Sequence, residues 1–195
     1  MGLDPAQLKL DPLLLPFYRS GLRYLFQPGG EQASSRREGT SQSGRTRDRW
    51  LAYLQDLTPP YSAVITYWKL SLDQGADLGE ESLKRRDLFA RMLTGLAWPE
   101  GEYVFWPHSD CRERQIHADP PLFWHGIGAL RPRYVLLFGE RAASILLPGH
   151  EAGTSRVDLE GVTYVLLPDP DEMLPDNRRA KNLVWRELKS LPIPA

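Results

Sequence analysis

The sequence predicts an α/β protein: a three-layer α/β/α sandwich built on a four-stranded parallel sheet. Two observations carry this expectation. Residues 62–68, 102–106, 134–138 and 162–167 are short runs rich in apolar, β-branched and aromatic residues, the signature of strands buried on both faces. A stretch of helical periodicity follows each run, and strands alternating with helices make a parallel sheet. The segment from Leu130 to Leu191 shows the pattern most clearly. Tyr134-Val135-Leu136-Leu137-Phe138 ends at Gly139 and passes into the helix formers Glu140 to Leu147. Val162 to Leu167 ends at Pro168-Asp169-Pro170-Asp171, where proline removes ladder donors. The closing helix, Asn177 to Ser190, sets Ala180, Leu183, Val184 and Leu188 on one face.

The chain divides into three parts. Residues 1–27 form an N-terminal helical segment, with Leu10, Leu13, Leu14, Phe17, Leu22 and Leu25 in a stripe and Pro12 and Pro16 limiting how early a helix begins. Such a helix packs on the domain edge or docks on a protein partner. Residues 28–47 hold almost no apolar side chain and read as a flexible linker, whose Arg36, Arg37, Arg45 and Arg47 are solvated or touch phosphates. Residues 48–195 make the α/β domain. It opens on Asp48, which caps a helix from Arg49 to Leu57 bearing Trp50, Tyr53, Leu54 and Leu57. After the first strand come a polar loop, Lys69 to Gly79, and a helix, Glu80 to Ala97, with Leu88, Phe89, Met92, Leu93 and Leu96 inward. Lys84-Arg85-Arg86 fall on its polar face, either solvated or against a phosphate or protein. The second strand stops at Pro107, and a loop to Pro121 leads into a helix ending near Leu130.

With 195 residues, 42% of them hydrophobic, the chain suffices for one domain with a full core. A net charge of -1 excludes a domain-wide basic field, so any DNA contact is a local patch. One cysteine excludes an intramolecular disulfide and suits a reducing cytosol. No apolar run approaches the roughly 18 residues of a membrane span. Met1-Gly2-Leu3-Asp4-Pro5 is not the start of a signal peptide, so a cytoplasmic location is expected.

Ligands of open α/β sheets bind beyond the carboxyl ends of the strands, near the point where strand order reverses. The loops that matter are therefore Trp68 to Asp77, Trp106 to Asp119 and Pro168 to Asp171. They offer Trp68, Lys69, Trp106, His108, Pro168, Asp169, Pro170 and Asp171 as pocket residues and Asp73, Asp77 and Asp169 as candidate catalytic carboxylates. His108, Asp110, Cys111, His117, Asp119 and His125 are scattered possible metal ligands without a compact paired motif, so no metal and no cofactor is expected.

"LRPRYVLLFGERAASILL" followed by "VTYVLLPDPDEMLPDNRRAKNLVWRELKSL" resembles the C-terminal half of the uracil-DNA glycosylase superfamily, most nearly its iron–sulfur, thermophilic-type branch. Gly139, Leu174, Trp185 and Leu188 fall in register with it. The resemblance implies four parallel strands in the order 2-1-3-4. It also implies a water-positioning loop after the first strand, an asparagine at the end of the second that reads uracil, and a His-Pro-Ser histidine that donates to the leaving base. At those places this chain carries Trp68-Lys69-Leu70-Ser71-Leu72-Asp73, Trp106 and Asp169-Pro170-Asp171. Oxyanion-type stabilisation needs donors. An ionised carboxylate roughly 4 Å from a developing anion, at an effective dielectric of about 20, costs about 4 kcal/mol, or about three decades in rate. Trp68 and Trp106 either stack on a base or fill the emptied pocket. Cys111 stands near one of the branch's four cluster cysteines and Asp119 near another, so four thiolates cannot hold a cluster.

Two functions follow as expectations. The first is a catalytically inactive glycosylase-like protein that binds protein or DNA in replication or repair. By analogy it is similar to the psi subunit of bacterial DNA polymerase III, whose degenerate glycosylase-like fold carries a partner-binding N-terminal segment. The second is a divergent DNA glycosylase acting on uracil or another damaged base through Asp73, Asp77 or Asp169.

Overall fold

The computed structural model describes residues 42–75, 78–99, 101–112, 115–151 and 153–193, with 42–46 described in backbone only. The N-terminal segment 1–27 and linker residues 28–41 lie outside the described residues. Helix α1 (Gln42–Gln55) leads to strand β1 (Ala63–Tyr67), the short α2 (Leu70–Asp73) and α3 (Glu80–Leu96). Strand β2 (Tyr103–Phe105) and a hairpin of β3 (Ser109–Arg112) and β4 (Gln115–Ala118) follow, then α4 (Pro120–Leu130), β5 (Tyr134–Phe138) and α5 (Glu140–Leu146). The chain closes with β6 (Arg156–Leu159), β7 (Val162–Leu167), α6 (Pro170–Met173) and α7 (Arg178–Lys189).

The protein is α/β, with one five-stranded, mostly parallel sheet in the order β2-β1-β5-β7-β6. β1, β2, β5 and β7 are parallel, and β1 and β5 are buried along their whole lengths. Register sets Ile65 beside Phe105 and Leu136, and Tyr67 beside Phe138. On that face Phe89 of α3 stacks on Tyr67 and meets Phe105 and Phe138 edge-on. α7 lies on the same side, burying Ala180, Val184 and Leu188. On the opposite face α4 meets the sheet through Trp124 on Tyr164, and Trp50 of α1 meets Trp106 edge-on. Helices thus cover both faces, which is why the central strands lack alternating polarity.

Four expectations are corrected. The sheet has a fifth strand: β6 folds antiparallel onto β7 across Glu160-Gly161, both at positive φ. A two-residue turn with two positive φ angles matches strand twist, and Val157 and Leu159 alternate with charges as a half-exposed strand does. The first helix starts at Gln42 instead of after Asp48, so the last residues assigned to the linker are helical. Arg47 is held there by an ion pair to Asp119 at 3.1 Å, a partner no local pattern reveals. The arginines of Lys84-Arg85-Arg86 are not on a solvated face; Arg85 and Arg86 are both 2% exposed, and Arg85 turns inward onto the buried carboxylate of Asp73. Leu183 is 38% exposed, whereas its neighbours on α7 are buried. Among the described residues, no helix is long and apolar enough to cross a membrane.

Candidate functional site

β1 ends at Tyr67, and the chain turns through Trp68 and Lys69 into α2. α2 is a single turn, and it carries Asp73 inward to full burial. An isolated carboxylate there is costly to bury, so the fold surrounds it with donors. Arg85 grips it bidentately: Nε donates to Oδ2 at 2.8 Å and Nη2 to Oδ1 at 2.7 Å. The Tyr67 hydroxyl donates to Oδ2 at 2.9 Å. The third arm of Arg85, Nη1, donates to Asp171 Oδ1 at 2.9 Å, and Lys69 Nζ donates to Asp171 Oδ2 at 2.5 Å. One chain of charge therefore ties β1, α2, α3 and α6 together at the carboxyl end of the sheet.

Electrostatics follow from this packing. Burial alone lowers the Arg85 pKa, but its bonds to Asp73 and Asp171 outweigh that and hold it above the usual arginine value. Burial pushes Asp171 up, and Lys69 and Arg85 more than reverse it, leaving its carboxyl below the usual range. Asp169 goes the other way: burial, with Asp171 and Glu172 nearby, holds it above the usual range against the Asp171 N–H and Lys69. Burial and Asp73 also drive the Tyr67 hydroxyl well up.

Asp169 is the N-cap of α6, its Oδ1 accepting from the Asp171 N–H at 2.9 Å. Its other oxygen lies against Gly139, where an added Cβ would stand 2.6 Å away. Gly139 also has φ of +96°, so two constraints select glycine. Pro170 is buried at the first turn of α6 and Pro168 is half-buried beside it.

The aromatic candidates are committed as well. Trp106 is fully buried; its Nε1 donates to the Leu122 carbonyl at 3.1 Å, and its ring lies beneath Gly126, where a Cβ would meet Nε1 at 1.9 Å. It fills space between the end of β2 and α4. Trp68 is 9% exposed, and the Arg141 guanidinium lies 3.5 Å from its ring centroid. That cation–π contact closes the outer face of the indole. His108 is buried beside Trp68, with Nδ1 2.8 Å from Thr66 Oγ1. Burial and then Arg141 lower its pKa to about 4, so it is neutral at pH 7.

The structure brings Lys69, Asp73, Asp169 and Asp171 to one end of the sheet with Trp68 and His108, and it withdraws Trp106 into the core. Asp77 lies outside the described residues. The scattered metal candidates do not converge. Asp119 caps α4 through the Leu122 N–H and pairs with Arg47, Asp110 pairs with Arg112, and His117 and His125 are exposed. Among the described residues no three His, Cys, Asp or Glu side chains stand close enough to hold a metal ion. Sequence reasoning missed Arg85, Tyr67 and Arg141. Asp73 and Arg85 lie 12 positions apart across a loop, a separation that gives no periodic signal. The chain matches no protein-family model and no curated protein sequence.

Proposed function

We propose that this chain is a catalytically inactive uracil-DNA glycosylase-like protein, a protein- or DNA-binding module acting in DNA replication or repair in the cytoplasm. The observation that carries this reading is the commitment of the candidate catalytic groups to the scaffold. A carboxylate that positions water needs a lone pair free to accept from that water. Asp73 instead accepts three hydrogen bonds from Arg85 and Tyr67 in a sealed environment. Asp169 caps a helix and abuts Gly139, and Trp106 stands where the resemblance expects a group that reads uracil. The fold part of the reading draws support from the succession β2, β1, β5, β7, to which the antiparallel β6 is added at the edge.

A divergent glycosylase is the second reading, and one observation favours it. The raised pKa of Asp169 enlarges the fraction of neutral carboxyl, the form able to donate to a departing base. Equilibrium binding separates the two. The full chain is titrated with matched DNAs that carry thymine or uracil at one position. A scaffold does not distinguish them. A uracil-reading pocket gives a preference of about tenfold or more, equivalent to about 1.4 kcal/mol.

A further inference from the structure

β6 is the outer strand of the sheet, and its residues Arg156, Asp158 and Leu159 are exposed. Its register fixes which backbone groups are free. The Leu166 N–H donates to the Ser155 carbonyl, and the register pairs Val157 with Tyr164 and Leu159 with Val162. In an antiparallel ladder hydrogen-bonded and non-hydrogen-bonded pairs alternate. Ser155, Val157 and Leu159 therefore bond to β7, and the N–H and C=O groups of Arg156 and Asp158 point outward. Among the described residues no backbone group pairs with them.

The side chains on this edge are self-complementary. Arg156 and Asp158 share the face toward α7, where Arg156 bonds to Glu187 and Ser190 and Asp158 accepts from Thr163. Val157 and Leu159 share the other face, with Val162 and Tyr164. Toward the turn, Leu159, Val162 and Tyr164 of that face line a groove of about 740 Å³ together with Trp124, Ile127 and Arg131. Trp124 and Leu159 are 37% and 41% exposed, two of the four large hydrophobic side chains that stand out in solvent among the described residues.

We propose that β6 is a homodimerisation edge, pairing antiparallel with β6 of a second copy of this chain about a two-fold axis at Val157. Two requirements choose this register. Only pairs that set Arg156 or Asp158 opposite Arg156 or Asp158 match outward groups with outward groups, so slips by one residue fail. Pairing Arg156 with Arg156, or Asp158 with Asp158, sets like charges face to face, which is destabilising. Centring on Val157 places Arg156 of each copy opposite Asp158 of the other, forming hydrogen-bonded pairs with opposite charge. The same register brings the two Val157 side chains together as the close, non-hydrogen-bonded pair. The result is one continuous sheet of two five-stranded halves and an isologous interface. A short charged edge ordinarily repels neighbours; here the alternation of charge admits one partner, the same strand reversed.

Sedimentation equilibrium of the full chain tests this. The wild type is expected to show reversible monomer–dimer association. Arg156→Asp or Asp158→Arg alone sets like charges opposite each other and should raise the dimer dissociation constant about tenfold or more. The double exchange, Arg156→Asp with Asp158→Arg, restores complementarity and should return it to near the wild-type value. Asp158→Pro removes an outward N–H at a position where an edge strand tolerates proline, so it should abolish dimers while circular dichroism stays native. A wild type that remains monomeric at every concentration overturns the proposal. So do dimers indifferent to Asp158→Pro, or a double exchange as weak as the singles.

Discussion

Arg85 and Asp73 form a two-point ion pair in which neither side chain has more than 2% of its surface in solvent. The pair sits just beyond the end of β1, between α2 and α3. Asp73 accepts three hydrogen bonds and is fully buried, so neither of its oxygens is open to solvent. The same guanidinium extends to Asp171, so the loop after β1 and the loop after β7 are braced against each other.

Removing one member of this pair leaves the other buried and unpaired. Asp73→Asn is expected to destabilise the protein by about 3–5 kcal/mol in urea denaturation. Joint replacement of Asp73 and Arg85 by leucine should cost less than either single change, since burying two charges offsets much of their attraction. A single-site loss below about 1 kcal/mol would show that the pair is not structural.

His108 makes stability depend on pH in a defined window. Its folded pKa, about 4, lies below the ordinary 6.5, so the unfolded chain binds a proton that the folded chain refuses. Its contribution is therefore intact above pH 6.5 and lost progressively as pH falls toward about 4. The full loss is on the order of 3 kcal/mol. His108→Gln, which keeps a partner for Thr66, should flatten that slope. The check is the difference between wild-type and variant unfolding free energies at pH 7 and pH 4.5; equal slopes would contradict it.

Gly126→Ala drives a methyl group into the Trp106 indole, 1.9 Å from Nε1 in the present packing. Overpacking of this kind costs about 1–3 kcal/mol. Trp106→Phe opens the space, so the double variant should be more stable than the sum of the two singles predicts. Thermal unfolding of the three variants measures this coupling, and strict additivity would mean the contact is relieved by backbone movement elsewhere.

Asp169 separates capping from charge. Asparagine keeps the acceptor for the Asp171 N–H, whereas alanine removes it. Asp169→Ala should cost about 1 kcal/mol. Asp169→Asn should be neutral or stabilising near pH 7, because it also removes a carboxylate that burial disfavours. The comparison is made by urea denaturation, and equal losses for the two variants would rule out a capping role.

Much of this architecture is legible in the sequence, for reasons that are local. β5 and β7 occupy residues 134–138 and 162–167, as their apolar runs and flanking glycine and proline predict. Phe89, Met92 and Leu93 face inward at helical spacing. β6 was hidden because half of its side chains are charged and only Glu160-Gly161 marks its turn. The candidate site was legible as a place, not as a set of bonds. The loop ends did bring Lys69, Asp73, Asp169 and Asp171 together, but Arg85, which binds Asp73 and Asp171, comes from the polar face of α3, and Arg141, which covers Trp68, comes from α5. A charge on a helix gives no sequence sign of being buried; only the tertiary position of its counter-charge decides it.

The most direct measurement is base excision at equimolar protein. Single- and double-stranded DNA containing uracil is incubated with the full chain, then treated with alkali to cleave at abasic sites. Cleavage no greater than in the protein-free control is expected, because Asp73 is sealed behind Arg85, Trp106 is core, and Asp169 is a helix cap. Abasic sites well above the control, disappearing in a folded Asp169→Ala variant, would contradict it and make the chain a divergent glycosylase.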